Sequence, residues 1–184
     1  MRTRRNRSLT EELMTQEDPA VRRWKTCLHE AGHAVAGRRL LKRTTRAAVF
    51  GNGSGVADLG GGNDVPISFR EAMAAAAGKA AESLADQHAP PEEPLPLPLE
   101  ITYPQTAGRL AAGVAKMMPD ETAIARWCIQ GRESQPRLWT KRHRWVYSAA
   151  DGFVSEYQQE IVDIASRLYE RGMVTLLADG PETP

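Results

Sequence analysis

The chain has 184 residues, of which 41% are hydrophobic and 26% charged, and a formal net charge of +1. That length supports one real core but not two ordinary domains, and so small a net charge argues against a protein whose main business is binding polyanions. No stretch approaches the ~20 apolar residues needed to cross a bilayer, and Arg2, Arg4, Arg5 and Arg7 are followed by polar Ser8 to Asp18 rather than by the apolar run of a secretory signal. The two cysteines, Cys27 and Cys128, offer neither a disulfide framework nor the paired spacing of a cysteine zinc site. A cytoplasmic protein is expected.

Residues 1–17 lack periodicity and are expected to form a flexible basic arm ahead of a single domain over 18–178. Asp18 and Pro19 supply a helix N-cap and first helical position. The helix they open should run to about Leu41, with Val21, Trp24, Leu28, Ala31 and Val35 forming one buried stripe. Ala47–Phe50 and Gly55–Leu59 have the character of short strands around the turn Gly51-Asn52-Gly53-Ser54, which predicts a small hairpin or sheet edge. Ser68 with Glu71 makes a capping box at the start of an alanine-rich helix extending to about Gln87. The proline-rich run from Ala89 to Pro104 can only be an irregular connection, because proline lacks the N–H and fixes its own φ. Helices are then expected over Gln105–Met118 and Pro119–Gln130. A long core helix should follow over Trp139–Arg171, stopped by Gly172, and the tail 179–184 should fray. The fold class is therefore mainly α, of the α+β kind.

The first helix carries the segment His29-Glu30-Ala31-Gly32-His33. Residues four apart on a helix lie about 40° apart around the axis and one turn apart along it, so both imidazoles can reach one metal ion. Glu30 projects from between them, about 100° from His29 and 60° from His33. From there a carboxylate can touch a metal-activated water without ligating the metal, as a general base must. Gly32 in mid-helix costs about 1 kcal/mol relative to alanine, which points to close approach by another segment. Cys27 is turned about 200° from His29 and belongs to the core. His88 and His143 lack ligand spacing.

The stretch Cys27–Leu41, CLHEAGHAVAGRRLL, resembles the active-site helix of the peptidase domain of the membrane AAA protease FtsH, and Ala77–Leu84, AGKAAESL, is similar to the GRAAEE segment that follows it in that family. Together the matches cover roughly residues 20–118. The resemblance implies a zincin-like helical peptidase fold with a small strand element beside which substrate would lie as an added strand. It implies zinc as cofactor, His29 and His33 as metal ligands and Glu30 as the catalytic base. Glu82 matches a family carboxylate on the supporting helix, although an exposed helix charge is an equal alternative. The family's third ligand is an aspartate that begins a helix in a DxxxAxxxA pattern. Aligning Ala107 and Ala111 with it puts Tyr103 at the ligand position, where a phenol is a much rarer zinc ligand than a carboxylate. Glu100 on the same loop is an alternative. Asp120 and Glu121 are the other acids, some 20 Å from Tyr103 along a predicted helix, and Asp120 has a further possible role as an N-cap.

Unlike FtsH, this sequence contains no GxxxxGK[ST] phosphate-binding loop and no membrane span. The expected function is an ATP-independent zinc metallopeptidase hydrolysing flexible or unfolded polypeptides. Two alternatives stand beside it: a non-hydrolytic metal-binding or regulatory protein that keeps the fold, and a nucleic-acid-associated factor using the basic clusters at the N-terminus and at Lys141–Arg144.

Overall fold

The computed structural model describes residues 18–51, 53–59, 67–91, 120–131 and 134–178. The elements are α1 (Pro19–Leu41), β1 (Thr45–Val49), β2 (Gly55–Asp58), α2 (Phe69–Ala81) continued by a 3-10 turn (Glu82–Asp86), α3 (Asp120–Ile129), α4 (Pro136–Glu156), α5 (Gln158–Arg171) and β3 (Met173–Leu176). The chain is thus mainly helical with a small antiparallel sheet. The helix expected over 105–118, the basic arm and the tail lie outside the described residues. Among the described residues no helix is long and apolar enough to cross a membrane.

Helix α1 begins as its sequence dictates, with the Asp18 carboxylate accepting from the Ala20 N–H at 2.8 Å and proline at the first position. It ends at Lys42, whose φ of 55° is left-handed and whose N–H is donated to the Gly37 carbonyl. Its periodicity predicts one buried stripe, but the structure buries Glu30 to Gly37 on every side. The reason is position: α2 packs on one flank, α5 on another and the sheet on a third. Gly32, Ala34, Ala36 and Gly37 leave room for this. A Cβ on Gly37 would fall 2.5 Å from Thr45 Cγ2, and the Thr45 hydroxyl donates to the Ala34 carbonyl at 3.0 Å, so β1 lies directly on the helix.

Helix α2 opens with the predicted capping box: Ser68 Oγ accepts from the Glu71 N–H, and the Glu71 carboxylate accepts from the Ser68 N–H. Burial of the carboxyl works against the charge of Glu71, but the Ser68 hydrogen bonds and the Arg43 guanidinium outweigh it and hold the group below the usual carboxylate range. The buried face of α2 is almost wholly alanine and Gly78. On its other side it meets α3 and α4.

In the sheet, β1 is central and pairs antiparallel with β2 (Ala47 opposite Ala57) and with β3 (Ala47 opposite Val174). The hairpin was legible in the sequence, and its connection carries Gly53 at φ 80°. Two features depart from expectation. The single helix over Trp139–Arg171 is two helices that break at Tyr157, with φ −105° and ψ 19°. The apolar period runs unbroken through Phe153, Tyr157 and Ile161, so it carries no sign of the break, yet α4 packs on α2 whereas α5 packs on α1. One straight helix could not serve both partners. The third strand follows Gly172, whose left-handed φ of 74° turns the chain so that Val174 and Leu176 are buried.

A Cβ on Gly32 would stand 2.6 Å from the Ala77 carbonyl oxygen and 2.8 Å from the Ala81 Cβ, closer than real side chains approach. Gly32→Ala gains about 1 kcal/mol of helix propensity, but overpacking at such a contact costs about 1–3 kcal/mol. Thermal unfolding followed by circular dichroism is expected to show a midpoint lowered by a few degrees. A raised midpoint would mean that α1 and α2 are not in backbone contact.

Candidate metal centre

Because α1 is regular through its centre, His29 and His33 emerge one turn apart with ring centroids separated by 4.7 Å and planes nearly perpendicular. Their Nε2 atoms are 3.0 Å apart. The first residue of α3, Asp120, brings its Oδ2 to 3.0 Å from His33 Nε2 and 3.5 Å from His29 Nε2. Two nitrogens and one carboxylate oxygen therefore converge on a common point.

The outer nitrogens explain how the rings are held. His33 Nδ1 lies 2.9 Å from the Ala74 carbonyl, which can only accept, so this nitrogen carries the hydrogen. His29 Nδ1 donates to Glu82 Oε1 at 2.8 Å, and Lys79 Nζ donates to the other Glu82 oxygen at 2.6 Å. Although burial opposes ionisation of Glu82, those bonds to Lys79 and His29 keep its carboxyl below the ordinary range. With both Nδ1 atoms engaged as donors, each neutral ring turns a lone pair inward. Two lone pairs and a carboxylate crowded at 3.0–3.5 Å repel one another unless a cation lies among them. Ligand atoms around a tetrahedral zinc ion, bonded at 2.0–2.1 Å, stand about 3.3 Å apart, and the triangle here straddles that spacing. The donor set thus fits zinc, and each histidine has the outer hydrogen bond typical of a metal ligand.

Burial disfavours charge on His29, but the hydrogen bond to Asp120 and the charge of Glu30 and the bond to Glu82 overcome it and raise the imidazole to about 9. Burial likewise works against the Asp120 charge, and the two histidines more than offset it, holding the carboxyl far below its usual value.

Glu30 is not one of the three donors, and its carboxyl lies against Gly55 at the start of β2. It is only 6% exposed, and its carboxyl occupies the space that a side chain at Gly55 would need: a Cβ there would fall 2.6 Å from Glu30 Oε1. Burial pushes Glu30 up, the charges of His33 and His29 pull it down, and the balance is about 7. Such a carboxyl is poised to exchange a proton near neutrality.

The structure brings together His29, Glu30, His33 and Asp120, with Glu82 behind His29. Tyr103 and Glu100 lie outside the described residues. Glu121 is exposed and is not part of the donor triangle. The Asp120 side chain reaches the histidines, although an N-cap was an equally ordinary expectation for it. Cys27 is fully buried, with its thiol pushed up by burial to about 12, and Cys128 is buried as well. His88 is structural: its carbonyl accepts from the Trp24 indole at 2.6 Å and its ring lies 2.7 Å from the Gln158 amide nitrogen. The His143 ring packs at a tilt against Tyr147, with centroids 4.8 Å apart. Sequence reasoning did not reach Gly55, Gly78, Lys79 or the Ala74 carbonyl. Only the Lys79–Glu82 pair, three apart on a helical segment, left a signal that could have been used.

Removing the carboxylate charge in Asp120→Asn is expected to weaken zinc binding by at least tenfold, as measured by competition with a chromophoric chelator, whereas Tyr103→Phe should leave it unchanged. Glu82→Gln should cost 10–100-fold through the orientation of His29. Zinc affinity lost in Tyr103→Phe and kept in Asp120→Asn would move the third ligand to the position given by the family alignment.

No protein family's profile matches the chain, and no curated protein or solved structure matches it.

Proposed function

We propose that this chain is a zinc-dependent peptidase acting on flexible or unfolded polypeptide in the cytoplasm, without ATP. The observation that carries the reading is the pairing of a three-donor centre with a buried carboxyl that is not one of the donors: His29, His33 and Asp120 converge, and Glu30 stands beside them with its affinity for protons raised toward neutrality. A site that only stored or sensed metal would have no use for that carboxyl. The resemblance of Cys27–Leu41 and of Ala77–Leu84 to the FtsH peptidase domain supports the same reading.

In this proposal His29, His33 and Asp120 hold the ion, with Glu82 and the Ala74 carbonyl fixing the imidazoles. Bound zinc supplies a Lewis acid that brings the pKa of water to about 7 and polarises a carbonyl. Glu30 would take the proton of the attacking water and deliver it to the departing amine, the two-way task of a general base that then serves as general acid. Substrate is placed as an extended segment along β2, the sheet edge whose Gly55 touches Glu30. An added strand needs several residues free of their own secondary structure, which folded domains rarely expose.

Glu30→Gln is expected to bind zinc normally while losing about 10²–10⁴-fold in hydrolysis, and His29→Ala to lose both. The assay compares an unfolded, casein-like substrate with a stable folded domain, each with and without ATP. Cleavage of the first alone, indifferent to ATP, is the expected result. Activity retained in Glu30→Gln, or no cleavage of either substrate by zinc-loaded protein, would overturn the proposal.

A further inference from the structure

We infer that the exposed face of the amino-terminal half of α4 binds single-stranded nucleic acid, at a surface that does not involve the metal centre. From Pro136 to Ala150 this helix contains Arg137, Lys141, Arg142 and Arg144 and no acidic residue. At 100° per residue Arg137, Lys141, Arg144 and Trp145 fall within a sector of about 100°, opposite the buried positions Val146, Ala150 and Phe153. All four are exposed. Arg142 is committed elsewhere, donating to the Trp127 and Gln130 carbonyls at 3.0 Å and lying over the Trp127 ring, and so braces the carboxyl end of α3 against α4.

Trp145 is the feature that distinguishes this face from an ordinary solvated helix. The residue is 59% exposed, yet its indole is held in place: Phe69 stacks on it with centroids 4.5 Å apart and planes 21° from parallel, and Trp127 lies 6.0 Å away. Phe69 covers one face of the indole, and the residue keeps more than half of its surface open to solvent. A large aromatic ring, pre-set by a stack and flanked by cations, matches what unpaired bases and their phosphates require, namely a stacking platform beside a basic track. Arg70, which follows Phe69 in sequence, is exposed as well. A duplex keeps its bases stacked on one another and offers the indole no free face. An anionic membrane surface calls for a row of large apolar side chains on the helix face, and among the described residues of this face Trp145 is the one exposed large hydrophobic.

The test is fluorescence anisotropy of the intact protein with a labelled oligothymidylate of about 16 nucleotides, run with and without a metal chelator. Binding that is insensitive to the chelator is expected, and with about three phosphates neutralised the logarithm of affinity should fall with the logarithm of salt with a slope near −2. Trp145→Ala should weaken binding at least tenfold with the slope unchanged, and Trp145→Phe should restore most of it. Lys141→Gln, at an exposed position that leaves the aromatic stack intact, should make the slope shallower by about 0.7. Circular dichroism of each variant establishes that it is folded. The inference is overturned by no binding at about 50 mM salt, by equal affinity for a duplex of the same length, by loss on chelation in protein that circular dichroism shows to be still folded, or by binding indifferent to both Trp145→Ala and Lys141→Gln in folded protein. Binding to phosphatidylserine vesicles in place of the oligonucleotide would assign the surface to lipid and equally overturn it.

Discussion

The contact on which the rest of the structure depends is the approach of α1 to α2 until backbone meets backbone. It exists because Gly32 has no side chain to hold the Ala77 carbonyl away and because the facing side of α2 is alanine and glycine. Each step of that approach has a consequence at the centre. The His33 ring fits only because Gly78 lacks a Cβ, which would collide with its imidazole. Once there, its Nδ1 finds the Ala74 carbonyl, and one turn earlier on α1 His29 finds Glu82. The usual cost of glycine within a helix is accepted at two positions, and the return is a pair of imidazoles with fixed orientation and tautomer. Larger residues at either position would separate the helices and leave the rings free to rotate.

Small side chains bury little apolar area, so this interface is not the main source of hydrophobic stabilisation. That comes from the large residues around it: Trp24, Leu28, Val35, Val146, Ile161 and Leu168, all at most 1% exposed. Trp24 sits edge-on to Tyr169 and donates its indole hydrogen to the His88 carbonyl, which ties the end of the 3-10 turn to α1. At the far end of α1, Arg38 and Arg39 meet Glu160 on α5. The helix that carries the histidines is thus gripped at both ends and crowded in the middle, which suits a centre whose donor atoms must keep separations of 3.0–3.5 Å.

Much of this was legible in the sequence where local chemistry decides structure. The Asp18-Pro19 start of α1, the Ser68–Glu71 box and the glycine turn between β1 and β2 each specify their own geometry within a few residues, and the four-residue spacing of His29 and His33 needs only a helix to become a metal site. The unusual Gly32 signalled a close neighbour and found one. What escaped was set by tertiary contacts. The break at Tyr157 has neither proline nor glycine and leaves the apolar period intact, so only the two different partners of α4 and α5 reveal it. Strand β3 is four residues long and depends on β1 for its hydrogen bonds. Asp120 lies 87 residues from His33. No periodicity spans such a distance, so the sequence offered Asp120 only as one of several acids beside the alanine alignment's Tyr103, which lies outside the described residues.

That long separation has a thermodynamic side. An ion held by His29 and His33 on α1 and by Asp120 on α3 closes a loop through the chain much as a covalent cross-link would, and it does so with α3 anchored at its first turn. A ligand that binds the folded state alone adds RT ln(1 + [L]/Kd) to stability, about 4 kcal/mol when free metal stands at a thousand times Kd. Asp120 has no equivalent anchor once the chain unfolds, so most of that gain would be lost on chelation. The protein would then resemble one whose disulfide can be opened by a change in metal supply rather than in redox potential, with the persistence of the folded chain set by an ion held at this candidate centre.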